Sequence, residues 1–270
     1  MPEEALSAPL SSPSKKWRSV LSLLFIIVWV PCLIVVYGVA KLLRPSMVES
    51  LYKIFHRSCC RAFSLQYTVK GQMSSDRPTL YLANHVSYLD IFVLGSEVPG
   101  FFIAKSEVAN WPVLGALAKM QNTLFFERKG VRIKEQLQVM ASHFNQKGNL
   151  ILFPEGTSTE GEHVEPFKSS LLQSVEMADA DVIIQPVTLA YTQYENKPMN
   201  KIIRDHYAWY ADMPFAPHFF SALGMGSASV EIIFHPPVTI KEFATRKECA
   251  FFCGQQVGEG LRHSLANTCP

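Results

Sequence analysis

The spacing of apolar residues divides the chain into one long uncharged run and a later series of short strands and helices. Residues 19–40 (SVLSLLFIIVWVPCLIVVYGVA) carry no charged side chain. At a helical rise of about 1.5 Å per residue, this run could cross a hydrocarbon core of roughly 30 Å. It is longer than the apolar part of a signal peptide and lacks a small-x-small cleavage site. We predict a membrane-anchoring helix that either spans the bilayer or bends at Pro31 and dips into one leaflet with a partner helix.

Residues 46–66 supply a candidate for that partner helix. Their apolar side chains recur near helical spacing, and three basic residues are available for a face toward lipid headgroups. The apolar positions are Met47, Leu51, Ile54, Phe55, Cys59 and Phe63, and the basic ones are Lys53, Arg57 and Arg61. We therefore assign residues 15–66 to a membrane-anchoring segment and the Ser- and Pro-rich residues 1–14 to a disordered tail.

Residues 71–270 have the pattern of one α/β domain. Short runs of aromatic and β-branched residues predict buried strands, and the stretches between them are helical. The clearest helix is Val131–Lys147, which carries an apolar stripe and ends at Gly148, and a closing helix lies within 241–266. This alternation favours a mixed sheet layered with helices. The predicted strands are 79–83, 101–105, 123–126, 149–153, 182–191 and 229–234.

Composition and charge exclude several classes of protein. With 48% apolar and 11% aromatic residues, the chain can bury a core and is not intrinsically disordered. Its net charge of +2 is uneven: residues 1–70 hold nine Lys and Arg against three acids, giving +6, and the remainder sums to −4. A broad nucleic-acid surface is therefore not expected. The six cysteines form no paired CxxC knuckles and the eight histidines no HExxH pattern, so we predict no metal site and reduced thiols.

The sharpest local pattern is NHVSYLD (84–90), directly after the predicted strand 79–83. If a helix begins near Ser87, Asp90 lies in its first turn and its carboxylate can fold back onto the imidazole of His85. A histidine whose one ring nitrogen is held by a carboxylate presents the other as a general base. Such pairs also serve purely structural roles, so this motif alone leaves both interpretations open.

Two further polar turns follow predicted strands. In FPEGTST (153–159), Gly156 permits close approach of a ligand to the backbone, and neighbouring amides could cradle an anion, although the turn is also acceptable as an ordinary loop. Lys168 adds a cation shortly downstream. In FFERKG (125–130), Arg128 offers a fork suited to phosphate, although taken alone this segment is better explained as a solvated basic turn at a strand end. Because strand ends in one open sheet share an edge, the three turns are expected to form a single cleft.

Together these motifs resemble the 1-acyl-sn-glycerol-3-phosphate acyltransferase family of glycerolipid and lysophospholipid acyltransferases. That family carries an NH-x4-D motif, an aromatic-x-R block, FPEGTRS and a late VPV-type strand. The corresponding segments are NHVSYLD, FFERKG, FPEGTST and IQPV (184–187). The resemblance covers about residues 71–200. It implies an α/β acyltransferase fold behind a membrane helix.

The resemblance also implies a mechanism and a set of site residues. His85 would deprotonate the acceptor hydroxyl and Asp90 would orient it, with acyl-CoA or acyl carrier protein as co-substrate and no other cofactor. The expected substrate-binding residues are Asn84, Lys105, Arg128, Glu155, Gly156, Thr157 and Lys168. The implied reaction is transfer of a fatty acyl group to the free hydroxyl of a lysolipid, with 1-acyl-sn-glycerol-3-phosphate giving phosphatidic acid as the first expectation.

One departure from the family pattern bears on the acceptor. Ser158 stands where the family has Arg, and a hydroxyl cannot form a bidentate contact with phosphate. Lyso-ornithine lipid or another lysolipid is therefore an alternative acceptor, and a membrane-bound lipid hydrolase or a non-catalytic lipid-binding protein is an alternative of a different class. The excess of basic residues after the apolar run predicts an inner (cytoplasmic) membrane protein whose catalytic domain faces the cytoplasm.

Overall fold

The computed structural model describes residues 13–127 and 132–267, and they form a long N-terminal helix followed by a mixed sheet with helices on both faces. The disordered tail expected at 1–14 lies almost wholly outside the described residues. The helices are α1 (Lys16–Leu43), α2 (Val48–Ala62), α3 (Leu89–Glu97), α4 (Leu114–Met120), α5 (Ile133–Asn145), α6 (Gln173–Met177), α7 (Lys201–Asp205), α8 (Phe215–Leu223) and α9 (Arg246–Ala266). Short 3₁₀ helices occupy Pro45–Met47, Ser106–Asn110, Ser170–Leu172 and Ile240–Glu242.

The sheet has the strand order β1-β8-β6-β2-β5-β3-β4, and β7 pairs with β6 at its end. Its strands are β1 (Leu65–Gly71), β2 (Thr79–Ala83), β3 (Phe101–Lys105), β4 (Leu124–Phe126), β5 (Leu150–Leu152), β6 (Ile183–Tyr194), β7 (Lys197–Pro198) and β8 (Ala228–Phe234). The run from β6 through β2, β5 and β3 to β4 is parallel, whereas β8 pairs antiparallel to β6 and parallel to β1. The carboxyl ends of five neighbouring strands therefore meet at one edge, as parallel sheets require.

Alternating side chains of the central strand β2 reach opposite faces of the sheet. Leu80 and Leu82 join a buried cluster with α5 and α9, and Tyr81 and Ala83 join another with α2, α3 and α8. All five residues of β2 are buried, which is why its sequence is continuously apolar rather than alternating. The predicted mixed α/β sheet layered with helices is confirmed.

Helix α1 is long and apolar enough to cross a membrane by length and composition, with a mean hydropathy of 2.8 over its most apolar window. It runs through Pro31 as one helix of 28 residues. It does not stand away from the domain, because Lys15 N–H donates to Gly224 O at its start and Trp29 Nε1 donates to Ser58 Oγ of α2 at its middle, each at 2.9 Å. Farther along, the hydroxyl of Tyr37 donates to a carbonyl at the end of α4, 3.1 Å away.

The opposite side of α1 is apolar and exposed. Val28 and Val35, two helical turns apart, each have 66% of their surface accessible. Soluble proteins rarely leave so long an apolar stripe uncovered, and a lipid environment explains it. The exposed large apolar residues of α1 are Trp17, Val20, Leu21, Leu24, Phe25, Ile27, Val28, Trp29, Ile34, Val35, Val36, Val39, Leu42 and Leu43.

The amphipathic helix expected over residues 46–66 is shorter than predicted. It ends at Ala62, the chain turns at Ser64, where φ is +54°, and β1 starts at Leu65. β1 is an edge strand with a single buried residue, and although its sequence LQYTVKG alternates between apolar and polar residues, its start lies inside the segment that the helical spacing had assigned to a helix. The sheet therefore begins before the domain boundary that the sequence placed at residue 71.

Helix α2 also has a different role from the one predicted. Leu51 and Cys59 are buried as part of its inner face, whereas Met47 and Ile54 are more than 40% exposed. Its inner face packs against α3, the helix that carries Asp90. The apolar stripe thus belongs in large part to the core of the domain rather than to a membrane surface.

Candidate active site

A histidine held by a buried carboxylate lies at the carboxyl end of β2. Asp90 is in the first turn of α3 and is completely buried. Its Oδ2 atom accepts hydrogen bonds from the backbone amides of Val86 (2.7 Å) and Ser87 (2.9 Å) and lies 2.9 Å from His85 Nδ1. The carboxylate therefore stabilises the start of the helix and fixes the imidazole at once. The predicted fold-back of Asp90 onto His85 is confirmed.

The second oxygen of Asp90 is held from the sheet. The hydroxyl of Tyr191 in β6 donates to Asp90 Oδ1 at 2.9 Å, and Tyr191 is buried. Burial and the adjacent carboxylate raise the pKa of Tyr191 far above its usual range, so it remains a hydrogen-bond donor. Sequence reasoning missed this residue, since the only signal was one aromatic side chain within a buried strand.

An aromatic ring also fixes the orientation of the His85 imidazole. It stacks on Phe153 with ring centroids 4.0 Å apart and planes inclined by 17°. Because Nδ1 is taken by Asp90 and a fifth of the side chain is exposed, Nε2 is the ring nitrogen left for a substrate. Nε2 has no hydrogen-bond partner within residues 13–127 and 132–267.

Glu155 joins the turn after β5 to the turn after β2. Its buried carboxyl accepts the backbone amide of His85 at 2.6 Å and that of Glu165 at 2.7 Å. Burial raises its pKa to about 7, the charges of Asp90 and Glu165 act in the same direction, and the two amide donors oppose the shift. Glu155 thus shapes the site by tying two loops together.

The glycine turn lies beside a lysine. Gly156 has φ of +72°, a left-handed conformation that L side chains rarely adopt, and a Cβ there would lie 2.7 Å from Lys168 Nζ. Thr157 next to it is exposed, and Thr159 N–H donates a hydrogen bond to His85 O at 2.9 Å. The turns after β2 and β5 therefore form one connected structure, as expected from the strand order.

The other predicted substrate-binding residues differ in their burial and in their position relative to the site. Asn84 is buried, and its amide donates to Leu189 O at 3.0 Å and accepts Leu189 N–H at 2.7 Å. This geometry gives Asn84 a structural role between β2 and β6 and does not support direct contact with substrate. Lys105 is exposed at the carboxyl end of β3, the same edge of the sheet. Arg128 lies outside the described residues.

Ser158, the departure from the family pattern, faces a loop that sequence reasoning did not connect to the site. Its hydroxyl donates to Trp209 O at 2.6 Å, and Trp209 N–H in turn donates to Val86 O at 3.0 Å. The loop after α7 is therefore bound both to the glycine turn and to the histidine motif.

Among the described residues, the His, Asp and Glu side chains of this site are not grouped as metal ligands. In the part of the chain that the structure describes, no group of three or more His, Cys, Asp or Glu side chains could hold a metal ion. The chemistry available at the site is proton transfer by the histidine and binding of anions by backbone amides and lysines.

The fold and this site define a membrane-associated enzyme with a histidine–carboxylate pair, and comparisons with known proteins supply its family. Residues 65–190 match the acyltransferase family. A lyso-ornithine lipid O-acyltransferase of Rhodobacter capsulatus is 35% identical over 212 residues, 76% of this chain and 73% of that protein. A 1-acyl-sn-glycerol-3-phosphate acyltransferase of Neisseria gonorrhoeae is 32% identical over 200 residues, 73% of this chain and 74% of that protein.

A solved structure supports the same fold. The crystal structure of the 1-acyl-sn-glycerophosphate (LPA) acyltransferase PlsC from Thermotoga maritima matches with a TM-score of 0.67 and 21% identity, over 92% of this chain and 93% of that one. The chain belongs to the acyltransferase family and is an acyltransferase of the lysolipid type. The resemblance inferred from the motifs is confirmed.

Proposed function

We propose that this protein transfers a fatty acyl group from a thioester donor, acyl-CoA or acyl carrier protein, to the free hydroxyl of lyso-ornithine lipid, with His85 as general base. The observation that carries the mechanism is the hydrogen bond between His85 Nδ1 and the buried Asp90, which leaves Nε2 as the proton acceptor. Tyr191 and Phe153 hold this pair in place.

The reaction proceeds by one direct transfer. Nε2 of His85 takes the proton of the acceptor hydroxyl as its oxygen attacks the thioester carbonyl, and the buried Asp90 stabilises the imidazolium that results. The C–S bond of the tetrahedral intermediate then breaks, and the leaving thiolate takes the proton back from the imidazolium. Lys168, whose Nζ lies beside Gly156, can pair with an anionic group of a substrate, and Thr157 in the same turn is exposed. Lys105 adds a second cation at the carboxyl end of β3.

Two observations favour lyso-ornithine lipid over 1-acyl-sn-glycerol-3-phosphate as acceptor. The relative from Rhodobacter capsulatus described above carries the former activity in its name, and so does one from Rhizobium meliloti that is 33% identical over 217 residues. In addition, the hydroxyl of Ser158 is engaged by Trp209 O, so this position offers no cation to a phosphate headgroup. 1-Acyl-sn-glycerol-3-phosphate remains the alternative acceptor, since the relative from Neisseria gonorrhoeae bears that name.

An acceptor panel tests the function. Purified protein in detergent or vesicles receives one labelled acyl-CoA or one labelled acyl carrier protein together with lyso-ornithine lipid or lysophosphatidic acid. We expect acylated product with lyso-ornithine lipid at the higher kcat/KM, and its loss in His85→Ala with an unchanged melting temperature. Acylation of lysophosphatidic acid alone would assign the alternative acceptor. Release of free fatty acid without any acceptor would indicate a hydrolase, and no turnover of any lysolipid by the wild type would indicate a lipid-binding protein.

The proposal places the catalytic domain on the cytoplasmic side of the inner membrane, where acyl thioesters are made. The basic residues that follow the apolar run support this orientation, because cytoplasmic flanks are enriched in Lys and Arg. Protease treatment of spheroplasts should leave the domain intact. Digestion of the domain from the periplasmic side would show that it has the opposite orientation.

A further inference from the structure

A cleft of about 420 Å³ lies beside the glycine turn and is lined by Phe167, Lys168, Ser169, Ser170 and Lys247. Two of the five lining residues are cations, two carry hydroxyls, and none is acidic. Lys168 follows the glycine turn along the chain, whereas Lys247 lies in the first turn of α9. The cleft therefore forms where two distant parts of the chain meet.

Among the described residues, the two lysines of this cleft differ from neighbouring cations in having no acidic partner. Arg246 pairs with Glu176 at 3.3 Å, and Lys241 with Asp181 at 3.8 Å. Within the part of the chain that the structure describes, neither Lys168 nor Lys247 forms an ion pair. Two cations around one cleft with no carboxylate between them repel each other, and a bound anion removes that repulsion.

The position of Lys247 in the fold also favours an anion in the cleft. It lies at the amino end of a 21-residue helix, where the aligned peptide dipoles produce partial positive charge and a lysine is unfavourable. Glu248 in the same turn compensates part of that charge, but its backbone amide is taken by Thr245 Oγ1 and its carboxylate lies against Ala244 N–H. An anion in the cleft would meet both the ammonium of Lys247 and the positive end of α9.

The walls of the cleft are fixed with respect to each other. Phe167 is buried, and Gly254 of α9 brings the helix so close that a Cβ there would lie 3.4 Å from the phenyl ring. Lys168 N–H donates to Pro154 O at 2.9 Å, which holds the lysine against the glycine turn. The hydroxyls of Ser169 and Ser170 make no hydrogen bond to other described residues and are available to a ligand.

The cleft is connected to the loop of the reacting histidine through residues of the glycine turn. Lys168 Nζ lies beside Gly156. Glu155, the residue before Gly156, accepts the backbone amide of His85, the proposed base. A phosphate in the cleft would thus belong to a substrate whose other end reaches His85. Between the two substrates, the thioester donor carries phosphate at a distance from its reacting carbonyl, whereas lyso-ornithine lipid carries none.

We propose that this cleft is the binding site for the phosphate groups of the acyl-thioester donor, with Lys168 and Lys247 as their cationic contacts and Ser169 and Ser170 as hydroxyl donors. The proposal rests on the acyl transfer proposed above. The shared chemistry is a phosphate ester of pantetheine, which occurs both in CoA and on an acyl carrier protein. Lys247 is a specificity residue for the donor and takes no part in the proton transfer.

Binding and kinetics of Lys247→Gln test the proposal. By isothermal titration calorimetry we expect CoA to bind the variant about tenfold more weakly than the wild type, because a charge-assisted hydrogen bond is lost, while phosphate-free pantetheine binds both equally. The KM for acyl-CoA should rise by a similar factor, and the KM for the lysolipid and the kcat/KM for an acyl-N-acetylcysteamine thioester should stay unchanged. Lys134→Gln, which also removes an exposed lysine from the first turn of a helix, is the matched control.

The measurements distinguish CoA from acyl carrier protein as the source of the phosphate, and they distinguish failure of the cleft proposal from failure of the proposed function. A rise in KM for acyl carrier protein, with no CoA binding by the wild type, would support the cleft and assign the carrier-bound donor. Three results would overturn the proposal. The first is an equal loss of kcat/KM with the phosphate-free thioester, and the second is a change in KM for the lysolipid only. The third is weaker binding to anionic vesicles with unchanged donor kinetics. If the wild type acylates no lysolipid but CoA binding still weakens in Lys247→Gln, the proposed function fails and the cleft assignment stands.

Discussion

His85 Nδ1 and Asp90 Oδ2 lie 2.9 Å apart, and the same carboxylate is held by the hydroxyl of Tyr191 on its other oxygen. Asp90 is completely buried, and these hydrogen-bond donors together with the backbone amides of the helix start stabilise its charge. Such a carboxylate has one orientation, and through it the imidazole has one tautomer. The functional importance of Asp90 is therefore that of a positioning residue rather than of a proton carrier.

Replacing Asp90 by Asn tests this relationship. The amide keeps the shape but presents an N–H₂ group or a neutral oxygen to Nδ1, so that the proton on the imidazole is no longer held at that nitrogen. We expect kcat to fall by about 1,000-fold or more with little change in the KM for the acceptor. Steady-state kinetics with lyso-ornithine lipid check this, and the exposed Asp76→Asn serves as control. Activity within tenfold of wild type in Asp90→Asn would refute the assigned role.

Glu155 predicts a pH dependence of stability. Its folded-state pKa of about 7 lies above the ordinary value of 4.5, so folding favours the neutral carboxyl. The sign follows from proton linkage: this contribution is fully present below pH 4.5 and is lost as pH rises through 7, an effect on the order of 3 kcal/mol. Glu155→Gln does not titrate. The free energy of unfolding of the variant, measured in denaturant relative to wild type, should therefore increase between pH 4.5 and 8.

The comparison with Glu155→Gln removes contributions from other groups, since they titrate equally in both proteins. The exposed Glu135→Gln on α5 should leave the difference independent of pH. A flat difference for Glu155→Gln as well would mean that the carboxyl is ionised throughout this range in the folded protein. The absolute stability of the variant is expected to be lower at acid pH, because its amide nitrogen faces one of the two backbone amide donors.

The sequence allowed the local part of this site to be predicted, and the structure supplied the long-range part. His85 and Asp90 are five positions apart, so the start of one helix brings them together whatever the rest of the chain does. Tyr191 lies 101 residues from Asp90, and only the pairing of β6 with β2 places it there. Lys247 is likewise far from Lys168 along the chain, and no motif joins them.

The secondary-structure elements that the sequence did not predict correctly also depend on long-range packing. Strands buried on both faces, such as β2, were recognised from their continuous apolar sequences. The edge strand β1 buries one residue of seven, and its short alternating sequence directly follows a helix that was predicted to continue into it. The helical stripe of α2 was recognised, but its orientation was not. Periodicity shows that a helix has an apolar face, and only tertiary packing shows whether that face meets lipid or another helix.

The packing of α2 on α3 predicts a strong effect of one methyl group. A Cβ at Gly95 would lie 2.4 Å from the ring of the buried His56, so Gly95→Ala should destabilise the protein by about 1–3 kcal/mol. His56→Ala removes the clash, and the double variant should be less destabilised than the sum of the two single ones. Denaturant unfolding gives all four values. Gly258→Ala in α9, which meets an arginine at an ordinary 3.5 Å, is the control.

If the double variant equals the sum of its parts, His56 and Gly95 do not contact each other in solution. The same variants also connect packing to catalysis, because α3 carries Asp90 in its first turn. Gly95→Ala should lower kcat as well as stability, and His56→Ala in the same chain should restore part of both. Recovery of stability without recovery of kcat would separate the α2–α3 contact from the geometry of the site.

The contacts of α1 predict its mode of insertion in the membrane. Its start is tied to the domain at Gly224 and its later turns at Met120, so the domain lies alongside the helix rather than beyond one end. A helix that spans the bilayer with these contacts intact would carry the domain into the hydrocarbon. We therefore expect α1 to lie in one leaflet as a single continuous helix, with both of its ends on one side of the membrane. In sealed vesicles, Lys16→Cys and Leu42→Cys should react with an impermeant maleimide from the same side.

The parent protein, which has an exposed Cys32 on α1, provides the background for that labelling. Cys32 lies within the apolar run and should react slowly in vesicles and faster in detergent. Reaction of Lys16→Cys and Leu42→Cys from opposite sides would show a spanning helix and would require the contacts at Gly224 or Met120 to open in the membrane.

Ser158 predicts a change in acceptor preference. Its hydroxyl donates to Trp209 O, and a guanidinium at this position would add a cation beside the glycine turn. Ser158→Arg should therefore shift the ratio of kcat/KM for lysophosphatidic acid over lyso-ornithine lipid by about tenfold or more toward the phosphate headgroup, the size of one charge-assisted hydrogen bond. Ser158→Ala also loses the bond to Trp209 but gains no charge, so it should lower activity on both acceptors without changing the ratio. An unchanged ratio in Ser158→Arg would mean that the acceptor headgroup does not reach this turn and that its specificity is set elsewhere at the edge of the sheet.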